Sequence, residues 1–339
     1  MRVLKFCAFF IFVISFVCFF VGFNPKYHVI NGKIFGTYYA VKIQTNNNDP
    51  QLEEIINNKL SQISATMSVF DLNSEISKIN NAEANLWIDL STDMQIVLRN
   101  SKLIYNLSDG AFDPTAGKLI DLWGFGTKGK IDKLPNDDEI SKILETTGFD
   151  KIEFSDDFSK LKKLHKDIKL NLSSIAKGYG VDMIAQLLKL RGYNNFIIEI
   201  GGEVVASGDK SDRIKGWNVG VTKPNEKTNE NSFVVNLKDY AVATSGDYRN
   251  FFYIENKKYS HTIDTKTGYP TENNVLSVSV FHKSCMVADG VATAVMSLGE
   301  KKGLKFAKDN DFAVVMFIKT NDNKIINVVS PKAKKLIEQ

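Results

Sequence analysis

Apolar residues recur with helical spacing through "DPQLEEIINNKLSQISATMSVF" (49–70), at Leu52, Ile55, Ile56, Leu60 and Ile63, and predict an amphipathic helix. "SEISKIN" (74–80) reads as a short helix or turn, and residues 91–107 as a helix capped at Ser91 or Thr92. Ahead of these, "INGKIFGTYYAVKIQT" (30–45) alternates apolar and polar positions around Gly36, as a strand pair or one bent strand would. Residues 135–147 open with Pro and acidic side chains, which favours a helix start, and 151–172 alternate like a hairpin. "LNLSSIAKGYGVDMIAQLLKLRG" (170–192) begins as a strand. It becomes an amphipathic helix over about 174–191, with Ser173 or Ser174 at the N-cap position and Gly192 past its end. "NNFIIEIGGEVVASG" (194–208) is a strand, a Gly-Gly turn and a strand. Strands continue through "GWNVGVTKP", "FVVNLKDYAVATSGDYRNFFYIENKKYSHTIDTKTGYP" and "VLSVSVFHKS". One or two helices cover 286–310, and 312–330 close in a hairpin turned at 321–323. Helices mixed with antiparallel-type hairpins, without strict βα alternation, predict an α+β class. Residues about 30–339 read as one unit without internal repeats.

The first residues stand apart. Arg2 and Lys5 precede "FCAFFIFVISFVCFFVGF" (6–23), eighteen residues without charge and just long enough to cross a bilayer. Positive charge at the start predicts that it stays in the cytoplasm and that the rest is exported. A cleaved signal peptide and a lipoprotein signal at Cys18 are alternatives. Val17 stands where a small residue is wanted before a lipidated cysteine, and no A-x-A-like cleavage site follows, so 1–25 is read as an uncleaved signal anchor. Only Cys285 lies outside that segment among three cysteines, which excludes an intramolecular disulfide or a cysteine metal site in the exported part. The net charge of +4 comes from 43 basic and 39 acidic residues that are interspersed, which excludes a nucleic-acid-type basic field.

Candidate chemistry gathers at a few points. Lys177 stands three residues after Ser174, where a capping box would place Glu or Gln. A cation near the positive end of a helix dipole calls for an anion, unless the side chain reaches into water. Asp289 and Thr293 lie four apart in "ADGVAT", on one face of the predicted helix. A carboxylate with a hydroxyl is hard-oxygen coordination suited to Mg²⁺, with substrate phosphates completing the shell; the plainer reading is an N-cap aspartate before a small-residue packing face. "DGAFDPTAGKLIDLWGFGTKGK" (109–130) is a long structured loop of the kind that carries function, although Asp113 also fits an ordinary turn. Of four histidines only His261 sits inside a patterned stretch, where imidazole could act as a base near neutral pH or bond to Asp264 at a strand end.

Four segments in register resemble the ApbE family of FAD:protein FMN transferases: "MSVFDLNSEISKIN" (67–80), "GAFDPTAGKLIDLWGFG" (110–126), "LNLSSIAKGYGVDMIA" (170–185) and "ATSGDYRNFF…YSHTIDTKTGYP…VADGVATAVMSLG" (243–299). The resemblance implies an ApbE-like mixed-sheet fold with flanking helices over 30–339 and transfer of the FMN half of FAD to a Thr or Ser hydroxyl of an acceptor flavoprotein, with Mg²⁺ as cofactor and AMP released. It implies metal ligation by Asp289, Thr293 and the Ser174 carbonyl, with His261 as base. Phe35, Phe70, Ala111, Phe112, Asp113, Asn171, Lys177 and Ile263 would contact FAD. Phe35 replaces a customary Met, Asn171 a frequent Asp, and Thr265 the Pro that usually follows Asp264. Asp247 and Arg249 would form a structural pair shaping the pocket. Family members are typically exported and anchored, so the resemblance places the domain on the periplasmic side of a bacterial inner membrane. Respiratory or Na⁺-pumping redox subunits are then the expected acceptors. Rival readings are an FAD pyrophosphatase, an anchored FAD-binding protein without activity, and a generic anchored interaction domain.

Overall fold

The structure, a computed structural model, describes residues 26–337 apart from 48, 225–230 and 248–250. The expected anchor over 1–25 and the Arg249 half of the expected Asp247–Arg249 pair lie outside the described residues. Among those described, no helix is long and apolar enough to cross a membrane.

The chain opens with the hairpin β1 (Tyr27–Ile34) and β2 (Thr37–Gln44), turned at Phe35 and Gly36. The helical spacing then delivers α1 (Leu52–Met67), α2 (Glu75–Asn81) and, after β3 (Ile88–Asp89), α3 (Thr92–Leu107). Ser74 and Ser91 cap α2 and α3, each side chain accepting the backbone N–H three residues on. The loop expected over 109–130 contains a short helix, α4 (Gly117–Leu122), because Leu119 and Trp123 bury together against Ile140 and Ile263. Next come α5 (Asp137–Leu144) with a full Asn136–Glu139 capping box, β4 (Ile152–Phe154), β5 (Lys160–Lys163) and α6 (Ala176–Leu190). The second half runs β6 (Phe196–Ile200), β7 (Glu203–Ser207), β8 (Trp217–Thr222), β9 (Asn231–Leu237), β10 (Tyr240–Gly246), β11 (Phe251–Ile254), β12 (Lys257–Ser260) and β13 (Val275–His282). It ends in α7 (Cys285–Asp309), β14 (Ala313–Lys319), β15 (Ile325–Val329) and α8 (Pro331–Ile337). The choice between one helix and two over 286–310 resolves as one element broken at Gly299, whose φ is +72°.

Eight strands form one sheet in the order β1-β2-β6-β7-β10-β13-β14-β15, and every pairing is antiparallel, not mixed as expected. Three of the pairings are hairpins, and the helical excursions also return the chain in the opposite sense. The inner face is apolar and packs on α1, α6 and α7: Val41, Ile43, Ile198, Val278 and Val314 are fully buried there with Ile56, Ile184 and Val291. Each such side chain contributes about 1.5–3 kcal/mol relative to exposure. The outer face of β7, β10, β13 and β14 is covered by the β8–β9 hairpin and α8 through Trp217, Val221, Val235, Leu237, Phe317 and Ala333.

The N-termini of α6 and α7 meet and cap each other. Asp182 of α6 accepts the backbone N–H groups of Cys285 and Met286 at 2.8 and 3.0 Å, while Asp289 of α7 accepts the Gly178 N–H at 3.0 Å. Gly178 makes this approach possible, since a Cβ there would lie 2.4 Å from the Cys285 carbonyl oxygen. Gly178→Ala is therefore expected to destabilise the protein by about 2–3 kcal/mol, checked by chemical denaturation. An unchanged midpoint would mean that the two helices separate without cost.

Candidate active site

The helix expected to begin at Ser174 begins two residues later. Ser173 and Ser174 lie in a turn, the N-cap is Ile175, and no side chain caps it locally. Asn171 sets that turn: its side chain accepts the Ser173 N–H at 2.9 Å and its own N–H reaches the Pro114 carbonyl at 2.7 Å. The N–H groups of Ile175 and Ala176 are both spent on the Leu172 carbonyl, and that of Gly178 on Asp289. Few amides therefore remain at this helix tip to attract an anion.

Lys177, in the first turn of α6, has anions of the protein's own. Its ammonium lies 3.3 Å from Glu203 Oε1 and 3.8 Å from Asp289 Oδ1. Burial works against its charge, but Asp289 and then Glu203 outweigh burial and raise its pKa. Burial also pushes Glu203 up, Asp289 adds to that, and Lys177 only partly offsets it. Glu203 is 2% exposed, and its second oxygen, Oε2, has no hydrogen-bond partner among the described residues. Glu203 is thereby held toward its neutral acid near pH 7, so Asp289 balances the Lys177 ammonium and the cluster has little positive charge to spare for an anion.

This cluster sits in a cavity of about 800 Å³, between the N-termini of α6 and α7 and the ends of β7 and β10. The cavity brings together most of the residues singled out from the sequence. Asn171, Ser174, Lys177, Asp289 and Thr293 line it on the helix side. Ala111, Asp113, His261 and Ile263 line it from the two loops, and Phe70, 70% exposed, stands at its rim. Phe35 and Phe112 do not line it. The Phe35 ring packs on Gly180 of α6, and Phe112 is a core residue at 1% exposure, because both follow apolar burial away from the opening.

The hard-oxygen donors fit a divalent cation that retains water and takes phosphate ligands. Asp289 and Thr293 lie one turn apart on α7 and open to the same cavity as Ser174. Among the described residues no group of three or more His, Cys, Asp and Glu side chains could hold a metal, which disfavours an all-protein cage.

His261 faces the cavity after β12, with Nδ1 3.4 Å from Asp247 Oδ1 and Phe125 against its ring edge. Asp264, the alternative partner at the strand end, holds the following turn by accepting the Lys266 N–H at 2.9 Å. Asp247 is buried, and the Thr262 hydroxyl donates to it at 2.7 Å. Burial raises the Asp247 carboxyl, opposed by His261 and Thr262. Sequence reasoning missed Glu203 and the orienting place of Asp247. The signal for Glu203 was an acid directly after a Gly-Gly turn, opening a strand that is otherwise apolar or small. Gly201 and Gly202 have φ of +62° and +105°, and that turn points the acid at Lys177.

Burial pushes Asp113 up to about 6, against hydrogen bonds from the Thr115 N–H and hydroxyl. A folded-state pKa above the unfolded value means that the folded chain holds a proton between about pH 4 and 6 that the unfolded chain has lost. Stability from this group is thus full below about pH 4 and lost as pH rises through 6. Asp113→Asn keeps an acceptor for Thr115. It is expected to leave stability at pH 4 unchanged and to add about 1 kcal/mol at pH 8 in the ligand-free protein, discounted for contact with solvent, read from melts at both values. A stability gain equal at the two pH values would contradict the assignment.

Residues 35–316 match the model of the ApbE family. The chain is 36% identical to the FAD:protein FMN transferase of Vibrio cholerae over 86% of its own length and 88% of that protein's. It is also 36% identical to the one of Haemophilus influenzae, over 91% of each. Its fold superposes on the flavin transferase ApbE from Vibrio cholerae with a TM-score of 0.85, at 33% identity, covering 92% of this chain and all of that one. It superposes on the Pseudomonas stutzeri flavinyl transferase ApbE with the same score at 29% identity, covering 94% and 98%. With the family model spanning most of its length and relatives this similar matched nearly end to end, the chain belongs to the ApbE family.

Proposed function

We propose that this chain transfers FMN from FAD to a Thr or Ser hydroxyl of an acceptor flavoprotein and releases AMP. The observation that carries the reading is the Lys177–Asp289–Glu203 cluster, set with Thr293 and His261 in one cavity large enough for a dinucleotide. Lys177 is already paired with Asp289, so it cannot neutralise a diphosphate alone, and a dication entering with the substrate would supply the missing positive charge. Asp289, the Thr293 hydroxyl and the Ser174 carbonyl would hold Mg²⁺, which when bound supplies Lewis-acid neutralisation of the phosphate oxygens. Lys177 then faces the same oxygens from the α6 side and stabilises charge as it shifts toward the departing phosphate.

The acceptor hydroxyl attacks the FMN-side phosphorus in line with the bridging oxygen. The bond to that oxygen breaks, AMP leaves with it, and the hydroxyl proton passes to His261. Asp247 at Nδ1 fixes the ring orientation, so Nε2 is the nitrogen that takes the proton, and the developing imidazolium is stabilised by a buried carboxylate. Phe70 offers an exposed aromatic face at the rim on which the flavin ring stacks.

The location is part of the same proposal. Two cations followed by eighteen uncharged residues support an uncleaved anchor in a bacterial inner membrane, with the catalytic domain facing the periplasm. Respiratory or Na⁺-pumping redox subunits are the acceptors to try first. The test compares source cells with and without this gene product for proteins carrying covalent flavin, by in-gel flavin fluorescence and peptide mass spectrometry. Transfer predicts an FMN-sized mass gain on Thr or Ser that disappears with the gene. AMP release from FAD without any modified protein would instead mean hydrolysis.

A further inference from the structure

The cavity has a second lobe that none of the expected FAD contacts occupies. Its floor is the outer face of β1, β2 and β6, where Val29, Ala40, Lys42, Ile197 and Glu199 line the opening. These residues adjoin across the strands: Ala40 pairs with Glu199, and Lys42 with both Ile197 and Val29. The β8–β9 hairpin covers the neighbouring half of the same sheet face and reaches this one only along its border, at Tyr27 and Ile197. Within that hairpin β9 lies over β14, through Phe233 and Phe317, whereas β8 borders the bare half, through Trp217 and Tyr27.

β8 thus walls the lobe. Asn218 to Thr222 all line the cavity, and among the described residues β8 pairs with β9 alone. Alternate residues of such a strand direct N–H and C=O groups away from their one partner, a template for a further strand. The six residues of β8 extend roughly 20 Å. The lobe joins the reacting centre at the Gly201–Gly202 turn and Glu203, one residue from which Val204 continues the floor.

We infer that this lobe receives the acceptor polypeptide as an extended segment added to the open edge of β8. This rests on the transfer reading above, which requires a polypeptide hydroxyl to reach Lys177, Asp289 and His261. A chain lying along β8 enters the same cavity without displacing FAD from the α6–α7 side. Backbone pairing gives grip that tolerates different sequences, while alternate side chains sit on the Val29–Ala40–Ile197 floor between Lys42 and Glu199. Acceptor segments are therefore extended and bear a small or apolar side chain two residues from the modified Thr or Ser, facing the floor.

The test uses the full chain in detergent, FAD with Mg²⁺, and the covalently flavinylated protein identified in source cells, made flavin-free in cells lacking this gene product. Ala40→Trp fills the floor from a half-buried position, and Ile197→Arg does so from the neighbouring strand. Each is expected to raise the KM for the acceptor about tenfold or more with the Kd for FAD unchanged, while Ile197→Arg also lowers the melting temperature because Ile197 packs on the outer-face core. A parallel loss of FAD affinity would assign the lobe to the dinucleotide and overturn the inference. So would unaltered acceptor kinetics in both variants. Absence of any covalent flavoprotein in source cells would instead fell the transfer reading itself.

Discussion

Asp289→Asn is expected to lower flavin transfer by about 10³-fold or more while leaving the fold in place. The two consequences separate because Asp289 has two oxygens with different tasks. Oδ2 accepts the Gly178 N–H and closes the α6–α7 contact, which an amide oxygen can also do. The negative charge facing Lys177 and the cavity cannot be replaced by an amide. Removing it leaves the Lys177 ammonium without its balancing charge, which repels a dication. Transfer assays across a magnesium titration, together with melts, check this. A melting temperature within a few degrees of the parent, with activity lost at every magnesium concentration, is the expected pair of results. Full activity in the variant would remove Asp289 from the metal site.

His261→Gln carries the second large effect, an expected fall in turnover of about 10²–10⁴. Glutamine retains hydrogen bonding but cannot accept the proton. FAD binding is expected to persist, so the loss falls on turnover more than on FAD affinity. Asp247→Asn should cost less, because the imidazole remains but its orientation and charge support are weakened. The double variant should be no slower than His261→Gln alone, since Asp247 acts through the imidazole. Additive losses would instead give Asp247 an independent role, such as holding Thr262 and the turn behind it.

Much of the architecture was legible from periodicity. The spacing of Leu52, Ile56, Leu60 and Ile63 gave a helix because all four face one core, where each is at most 1% exposed. The Gly-Gly turn at 201–202 was legible because two consecutive left-handed residues need glycine. Helix starts were harder. Ser174 satisfied the local pattern for an N-cap, but α6 is capped across space by Asp289 and α7 in part by Asp182, and no local rule encodes that exchange. The closing helix α8 went unread although Ser330 and Pro331 spell a start, because its apolar stripe of Ala333, Leu336 and Ile337 spans barely one turn. All-antiparallel pairing was equally hidden, since it depends on which strands meet after long helical excursions.

The site divides the same way. Asp289, Thr293, Lys177 and His261 came from motif spacing, and the cavity brings all four together. Their partners did not. Glu203 lies 26 residues from Lys177 and Asp247 lies 14 from His261, so each pairing is made by tertiary packing, of α6 on β7 and of the segment after β12 on the end of β10, and not by local sequence. Phe35 and Phe112 show the converse: an aromatic in a motif can serve the core, and burial decides which.

Titration calorimetry of the full chain with FAD, in the presence and absence of Mg²⁺, tests most directly whether the Lys177–Asp289 cluster grips a diphosphate through a dication. The predicted result is saturable FAD uptake that strengthens at least about tenfold with magnesium and loses that gain in Asp289→Asn. No FAD uptake under either condition, or uptake indifferent to both magnesium and Asp289, would contradict the account.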